Sequence, residues 1–415
     1  MSTLNHSGAI QTRRALSVLL LVLPFSNASA QRGGFSSPGS LRNTDFSQTT
    51  RFDNAFNPAI SLMLDLIGDY RSYSGDTKDG ADLSLRRLDL LIADWVDPST
   101  LLWTTIAYEG DEIVVDEAAL EYIELPGNQS LRAGRFFIDF GKQMQAHVEE
   151  LRTIDRPLVL RSYLGEELAG DGVQWDNWTS FGEATLLRYS AGAYMNLSGG
   201  GHGHDDEEDS GPELHVSDRH AGEDLGFAGR LTAMTETGSN GILQFGTSIR
   251  LSSDFAFEDD TSGVEVSGMR NVVYGLDLTY GEIADDGIHQ WSSGAEILLN
   301  DGDLSAELND GGTPGNPADD SIDVHNGSAL GGFVYFDRQW SQAESAGGQF
   351  SWIQEPEPGK PREEQYDLYY TRHLSEFLRI RFGIGYVNST DEPDSAYAAI
   401  QFTGFIGAHG HGLNW

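Results

Sequence analysis

The sequence predicts an all-β protein: a transmembrane antiparallel β-barrel of about sixteen strands, with short periplasmic turns and long extracellular loops. Three observations predict it. An export signal opens the chain, period-two alternation recurs in segment after segment, and the connecting lengths alternate between short and long. Bulk hydropathy agrees: 39% of residues are hydrophobic, which looks soluble, but only every second residue of a barrel strand faces lipid.

Residues 1–30 are excluded from the fold. Arg13 and Arg14 form a basic region, ALSVLLLVLPF at 15–25 an apolar core, and Ala28-Ser29-Ala30 a small-x-small cleavage site before Gln31. Such a segment is a secretory signal, too short to span a bilayer as a helix. Its removal takes the formal charge from −38 to −40, since it carries two arginines and no acid. Three lysines (Lys78, Lys142, Lys360) stand against twenty-three arginines and sixty-four acids. Nucleic acid is therefore not an expected partner, because there is no positive field to meet phosphates. Cysteine is absent, so no disulfide supports the exported chain. Residues 31–57 are polar and aperiodic, a flexible periplasmic lead-in, and 58–415 are assigned to the barrel.

The first alternating segment, NPAISLMLDLIGDY, places Ile60, Leu62, Leu64 and Leu66 on one face. Segments at 83–95, 100–109 and 114–125 follow, and Pro126-Gly127-Asn128 makes a tight turn of the kind these residues favour. The strand from 131 sets Phe136, Ile138 and Phe140 opposite Arg135 and Asp139. A charged excursion at 141–169 separates it from GDGVQW, and 185–196 completes the first half. Nine further segments begin near 225, 241, 270, 289, 329, 347, 364, 377 and 395. The last but one is clearest, with Leu378, Ile380, Phe382 and Ile384 against Arg379, Arg381, Gly383 and Gly385.

Short links such as DPST, PGNQ and LSE fall on one rim, while 141–169, 197–223, 253–267, 301–327 and 356–363 fall on the other. Short turns on one side and long loops on the other characterise outer-membrane barrels, whereas a soluble sandwich has no reason to sort them. The expected place is the outer membrane of a Gram-negative bacterium, among its lipid and lipopolysaccharide. Inward positions hold Asp65, Arg87, Asp89, Arg135, Arg188, Arg250, Asp277, Gln290, Glu296, Arg379 and Arg381. About sixteen strands enclose an aqueous channel, in which such charges are hydrated; on the lipid face each costs about 2–4 kcal/mol at mid-depth.

Gly134-Arg135-Phe136, Phe140-Gly141-Lys142, Asp155-Arg156-Pro157-Leu158-Val159 and Gly172-Val173-Gln174 resemble the phosphate-selective porin O and P family. The NPAISLMLD opening and the His-rich loop are similar to an outer-membrane branch linked with zinc supply. The resemblance implies a homotrimeric porin whose third extracellular loop folds inward and narrows the pore. Phosphate selectivity does not carry over, because that family holds anions with clustered lysines and the three lysines here are dispersed.

Pore and constriction candidates are Arg135, Asp139, Glu149, Glu150, Arg152, Arg156, Arg161, Glu166, Glu167, Arg188, Arg379 and Arg381. The loop glutamates are expected to act on the channel, and Arg156 to hold the loop through ion pairs. Residues 199–224 place His202, His204, His215 and His220 among nine acids, with Asp205, Asp206, Glu207 and Glu208 directly after Gly-His-Gly-His. Imidazole with carboxylate suits zinc or another divalent cation, against the plainer reading of a solvated acidic loop. His409 and His411 form a second Gly-His pair near the C-terminus, as a metal contact or part of an extended tail. No cofactor is required by this reading.

The expected function is passive diffusion of small hydrophilic solutes or ions, with a preference for cations and divalent metal such as zinc. The alternative is a metal-binding outer-membrane receptor or surface protein. An energy-coupled receptor needs a plug domain that 31–57 is too short to supply, and an anion porin is disfavoured by charge. An enzyme is not expected, since no rim motif pairs Ser or Asp with His.

Overall fold

The computed structural model describes residues 58–74, 79–109, 112–195, 197, 213–216, 225–259, 264–309, 321–354, 362–389 and 393–407. Its strands are β1 (Ala59–Tyr73), β2 (Gly80–Asp97), β3 (Thr100–Glu109), β4 (Glu112–Leu125), β5 (Gln129–Phe137), β6 (Ala169–Phe181), β7 (Thr185–Met195), β8 (Glu213–Val216) and β9 (Gly226–Thr237). They continue as β10 (Gly241–Asp259), β11 (Val264–Ile283), β12 (Gln290–Asn309), β13 (Ser321–Ser341), β14 (Glu344–Gln354), β15 (Arg362–Ser375), β16 (Leu378–Asn388) and β17 (Ser395–Gly407). Each pairs antiparallel with its neighbour, and β1 pairs with both β2 and β17. The sheet is therefore closed. Sixteen strands form the wall, because β8 is a four-residue addition that lies on the upper end of β10 while β7 pairs directly with β9.

Alternation places the wall. Leu102, Leu120, Leu131, Phe245, Leu276, Phe336, Leu368 and Ile384 are exposed on the outside, as a lipid-facing surface requires. Trp95, Phe181, Trp340 and Phe377, exposed at the short-turn rim, form the aromatic girdle of a bilayer interface. The turn predicted at 126–128 is present, with Gly127 and Asn128 at φ of 81° and 61°. Glycine and asparagine tolerate that left-handed backbone best. In the turn between β11 and β12, backbone N–H groups of His289 and Ile288, with the His289 ring, hold the Asp286 carboxyl down at about 2.

Two bulges alter the predicted phase. Asp65 pairs with Arg87 and Leu66 with Leu85, so Arg86 is an extra residue in β2. Thr105 pairs with Glu117 and Ile106 with Val115, so Asp116 is extra in β4. A bulge bends the strand and re-aims its side chains. The outward apolar set of β2 accordingly shifts from Leu83 and Leu85 to Leu88, Leu90 and Ile92. In β4 it shifts from Ile113 and Val115 to Leu120 and Tyr122. Both arginines and both acids at these steps then serve the interior.

Other expectations need correction. The expected loops 253–267 and 301–327 are largely hairpin, since β10 to β13 extend through residues 259, 264, 309 and 321. Arg135 does not face the lumen. Arg132 and Phe136 hold the inward positions of β5, and Arg135 takes the other face, donating to the Val115 carbonyl at 3.0 Å and lying 3.7 Å from Asp171. The inward charges are also buried rather than hydrated: Asp65, Arg87, Arg250 and Glu296 are each at most 2% exposed.

Gly134 has φ of 124°, and a Cβ there would stand 2.3 Å from the Ala118 carbonyl oxygen. Gly134→Ala is expected to destabilise the barrel by about 1–3 kcal/mol, the cost of a residue held in a disallowed region. A fall in the urea midpoint of the folded band on unheated gels measures it, and an unchanged midpoint contradicts the assigned backbone.

Candidate functional site: the loop across the lumen

The segment 138–168 leaves β5 and turns into the barrel. It contains a 3-10 turn at Val148–Glu150 and a short helix, α1, at Leu158–Leu164. Helix α1 starts directly after Pro157, which is pre-set for a first turn, and stops at Gly165, whose φ is 83°. Its buried side chains are Leu158, Val159, Leu160, Tyr163 and Leu164. With Phe136, Ile138, Phe140 and Met144 they form an apolar core inside the barrel, completed by wall residues such as Trp103, Tyr194, Val273, Leu298 and Phe333.

The wall is shaped to take this core. A Cβ on Gly275 would stand 3.0 Å from the Phe140 ring, one on Gly331 2.5 Å from Val159, and one on Gly383 2.7 Å from Ile154. Each glycine sits at an inward position of its strand, where a missing side chain marks a close approach. Three notches on β11, β13 and β16 thus receive three apolar projections of the loop.

Polar contacts fix the loop around the circumference. Gly141 N–H donates to Ser248 Oγ at 3.0 Å, and Lys142 Nζ to Gln244 Oε1 at 3.2 Å. Arg152 lies 3.5 Å from Asp337 and over the Tyr335 ring. Tyr163 donates to the Gln354 carbonyl at 2.7 Å, and Arg161 to Gln365 Oε1 at 2.9 Å. Arg381 donates to the carbonyls of Thr153 and Leu151, and Arg86 to that of Ile154. Within the loop, Arg156 donates to the carbonyls of Gln143 and Ala146 at 2.6 and 2.8 Å. These bonds tie the loop to itself through its carbonyls.

Three further candidates sit under the loop. Asp139, 3% exposed, meets Arg188 at 2.6 Å, Arg230 at 3.6 Å and Ser190 Oγ at 2.7 Å. Arg188 also reaches Asp176 at 2.6 Å, and Arg230 reaches Asp277 at 2.8 Å. Arg379 donates to Thr403 Oγ1 at 3.0 Å. Glu167 meets Arg87 at 2.7 Å, while Glu166 is exposed and Glu150 half-buried. The side chain of Glu149 lies outside the described residues, as do those of His202, His204, Asp205, Asp206, Glu207, Glu208, His215, His220, His409 and His411.

Among the described loop side chains, Asp155, Arg161, Ser162, Glu166 and Glu167 keep access to water, and His147, Glu150 and Arg152 are partly exposed. Near them on the wall stand Arg86, at 3.4 Å from Asp155, and Glu109, which shares Arg87 with Glu167. Asp155 and Glu167 therefore face β2, while Arg152 and Arg161 meet β13 and β15 and the apolar anchorage lies on β11, β13 and β16. Periodicity alone missed Arg86, Asp116, Glu117, His147 and Arg230. The signal for the first three was the phase reversal of the outward apolar residues on either side of them.

No family model matches the sequence. An uncharacterized protein of Aquifex aeolicus is 29% identical over 161 residues, which are 34% of this chain and 33% of that one, so the match spans about a third of the relative's length. Among solved structures, an anion-selective porin from Comamonas acidovorans superposes with a TM-score of 0.54 at 9% identity, over 84% of this chain and 99% of the other. Pseudomonas putida OprB gives 0.52 at 10% identity, over 84% of this chain and 94% of the other. The chain thus has the fold of the outer-membrane β-barrels.

Proposed function

We propose that this barrel is a passive diffusion channel of the outer membrane for small hydrophilic solutes, narrowed by the loop at 138–168. The observation that carries the reading is the loop seated in glycine notches of the inner wall. A sixteen-strand wall otherwise encloses an aqueous channel, and a loop with its own apolar core, fixed on many strands, sets the size of what passes. The accessible charges beside it are mixed, with Asp155, Glu109, Glu150, Glu166 and Glu167 against Arg86, Arg152 and Arg161, and the whole chain carries −38. That balance favours cations, because a negative field raises their local concentration. The acidic, His-rich composition of segment 197–223 extends the preference to divalent ions, and a homotrimer suits the porin-like architecture.

Planar-bilayer recordings of the purified protein test this reading. In a KCl gradient, discrete channel events are expected, with a reversal potential of the sign set by K+ permeation. An absence of events overturns the channel, and a reversal of the opposite sign overturns the cation preference.

A further inference from the structure

The bulges on β2 and β4 bring charged residues together where the loop returns to the wall. Asp89, Asp116 and His147 each offer a ligand atom within 4.8 Å of the others. Asp89, Asp116 and the adjoining Glu117 are 5%, 7% and 4% exposed. The described ion pairs set Arg87 against Asp89 and Asp116, and His147 Nε2 at 3.5 Å from Glu117. Glu109 and Glu167 draw on the same Arg87, at 3.5 and 2.7 Å. Arg87 and His147, with Arg156 acting on Glu167, thus face three buried carboxylates and two more accessible ones. Burying excess negative charge is costly unless a cation matches it.

We infer that Asp89, Asp116 and His147 form a binding site for one divalent transition-metal cation, which ties the loop to β2 and β4. One imidazole nitrogen and two carboxylate oxygens are a donor set that zinc and similar ions accept, with further positions for Glu117 or water. The ion adds positive charge beside three buried carboxylates. Arg87 keeps partners when the ion takes Asp89 and Asp116, because Glu109 and Glu167 already accept from it. Phe137 packs edge-on against the His147 ring with centroids 4.8 Å apart, and its N–H donates to Glu117 Oε1 at 3.3 Å. The ring and the neighbouring carboxylate are therefore held before any ion arrives, and preorganised ligands reduce the ordering cost of binding. The inference stands apart from the channel reading, since a sealed barrel also offers the site.

The test is zinc titration of the full chain in detergent, stripped with a chelator, in a background where His202, His204, His215, His220, His409 and His411 are all Asn. One zinc per chain is expected there, with affinity falling at least tenfold in His147→Asn and in Asp116→Asn. Gel mobility before and after heating checks that each variant is a folded barrel. Should Asp116→Asn fail to fold, His147→Asn decides, because it alters the loop and no strand. Absence of zinc binding in the six-fold background, or binding unchanged by His147→Asn, overturns the site.

Discussion

Deleting residues 143–166 and bridging the ends with a short Gly-Ser linker raises single-channel conductance several-fold. The removed segment carries α1 and the loop carbonyls that Arg86 and Arg381 bind. Its loss opens a lumen lined by Arg86, Arg381, Asp337 and Gln365, which water then hydrates. The barrel itself remains closed: β5 and β6 pair from Gln129–Asn177 to Phe137–Ala169 outside the deletion, and β1 meets β17 from Ser61–Gly407 to Tyr73–Ser395. Conductance equal to that of the intact chain places the narrowest point elsewhere.

Asp139→Ala carries the largest expected loss of stability for a single side chain. The carboxylate lies at the base of the loop between Arg188 and Arg230, and neither guanidinium is more than 7% exposed. Removing one partner of a buried ion pair leaves uncompensated charge and costs about 3–5 kcal/mol. Arg188 and Arg230 retain Asp176 and Asp277, so the lower end of that range is expected. Asp139→Asn keeps the shape and a polar contact to Ser190, and costs less. The urea dependence of the heat-modifiable gel band reads both variants. A loss under about 0.5 kcal/mol for Asp139→Ala, the range of ordinary surface changes, contradicts the dry network.

Much of this architecture is written in period-two alternation. Leu378, Ile380, Phe382 and Ile384 identify their strand without any structure, and the segment at 100–109 has the same limits as β3. The sorting of short and long links places the excursion after Phe136 on the long-loop rim, and its charges mark it as functional. Its interior is less legible. Period two assigns faces but not phase changes, so Arg86 and Asp116, each an extra residue in a bulge, disappear into a regular strand. The expectation that a charge avoids lipid puts Arg135 inside, yet Phe136 is the residue that meets the loop. The assumption of a wet lumen hides a second apolar surface, the one formed by Phe136, Phe140, Tyr163 and Leu164. Glycines 275, 331 and 383 hint at it, but a glycine in one strand does not name the residue that will fill its notch.

A disulfide between the loop and the wall tests whether the loop lies across the lumen. The chain has no cysteine, and a Cβ at position 383 would lie 4.0 Å from that of Ile154, within the 3.5–4.5 Å span of a disulfide. Ile154→Cys combined with Gly383→Cys is expected to form the bond in isolated membranes under mild oxidation. Gel mobility of the unreduced protein would shift, and channel conductance would stay as in the cysteine-free chain. Free thiols at both positions, with position 154 open to a membrane-impermeant maleimide from outside, would show that the loop does not lie across the lumen.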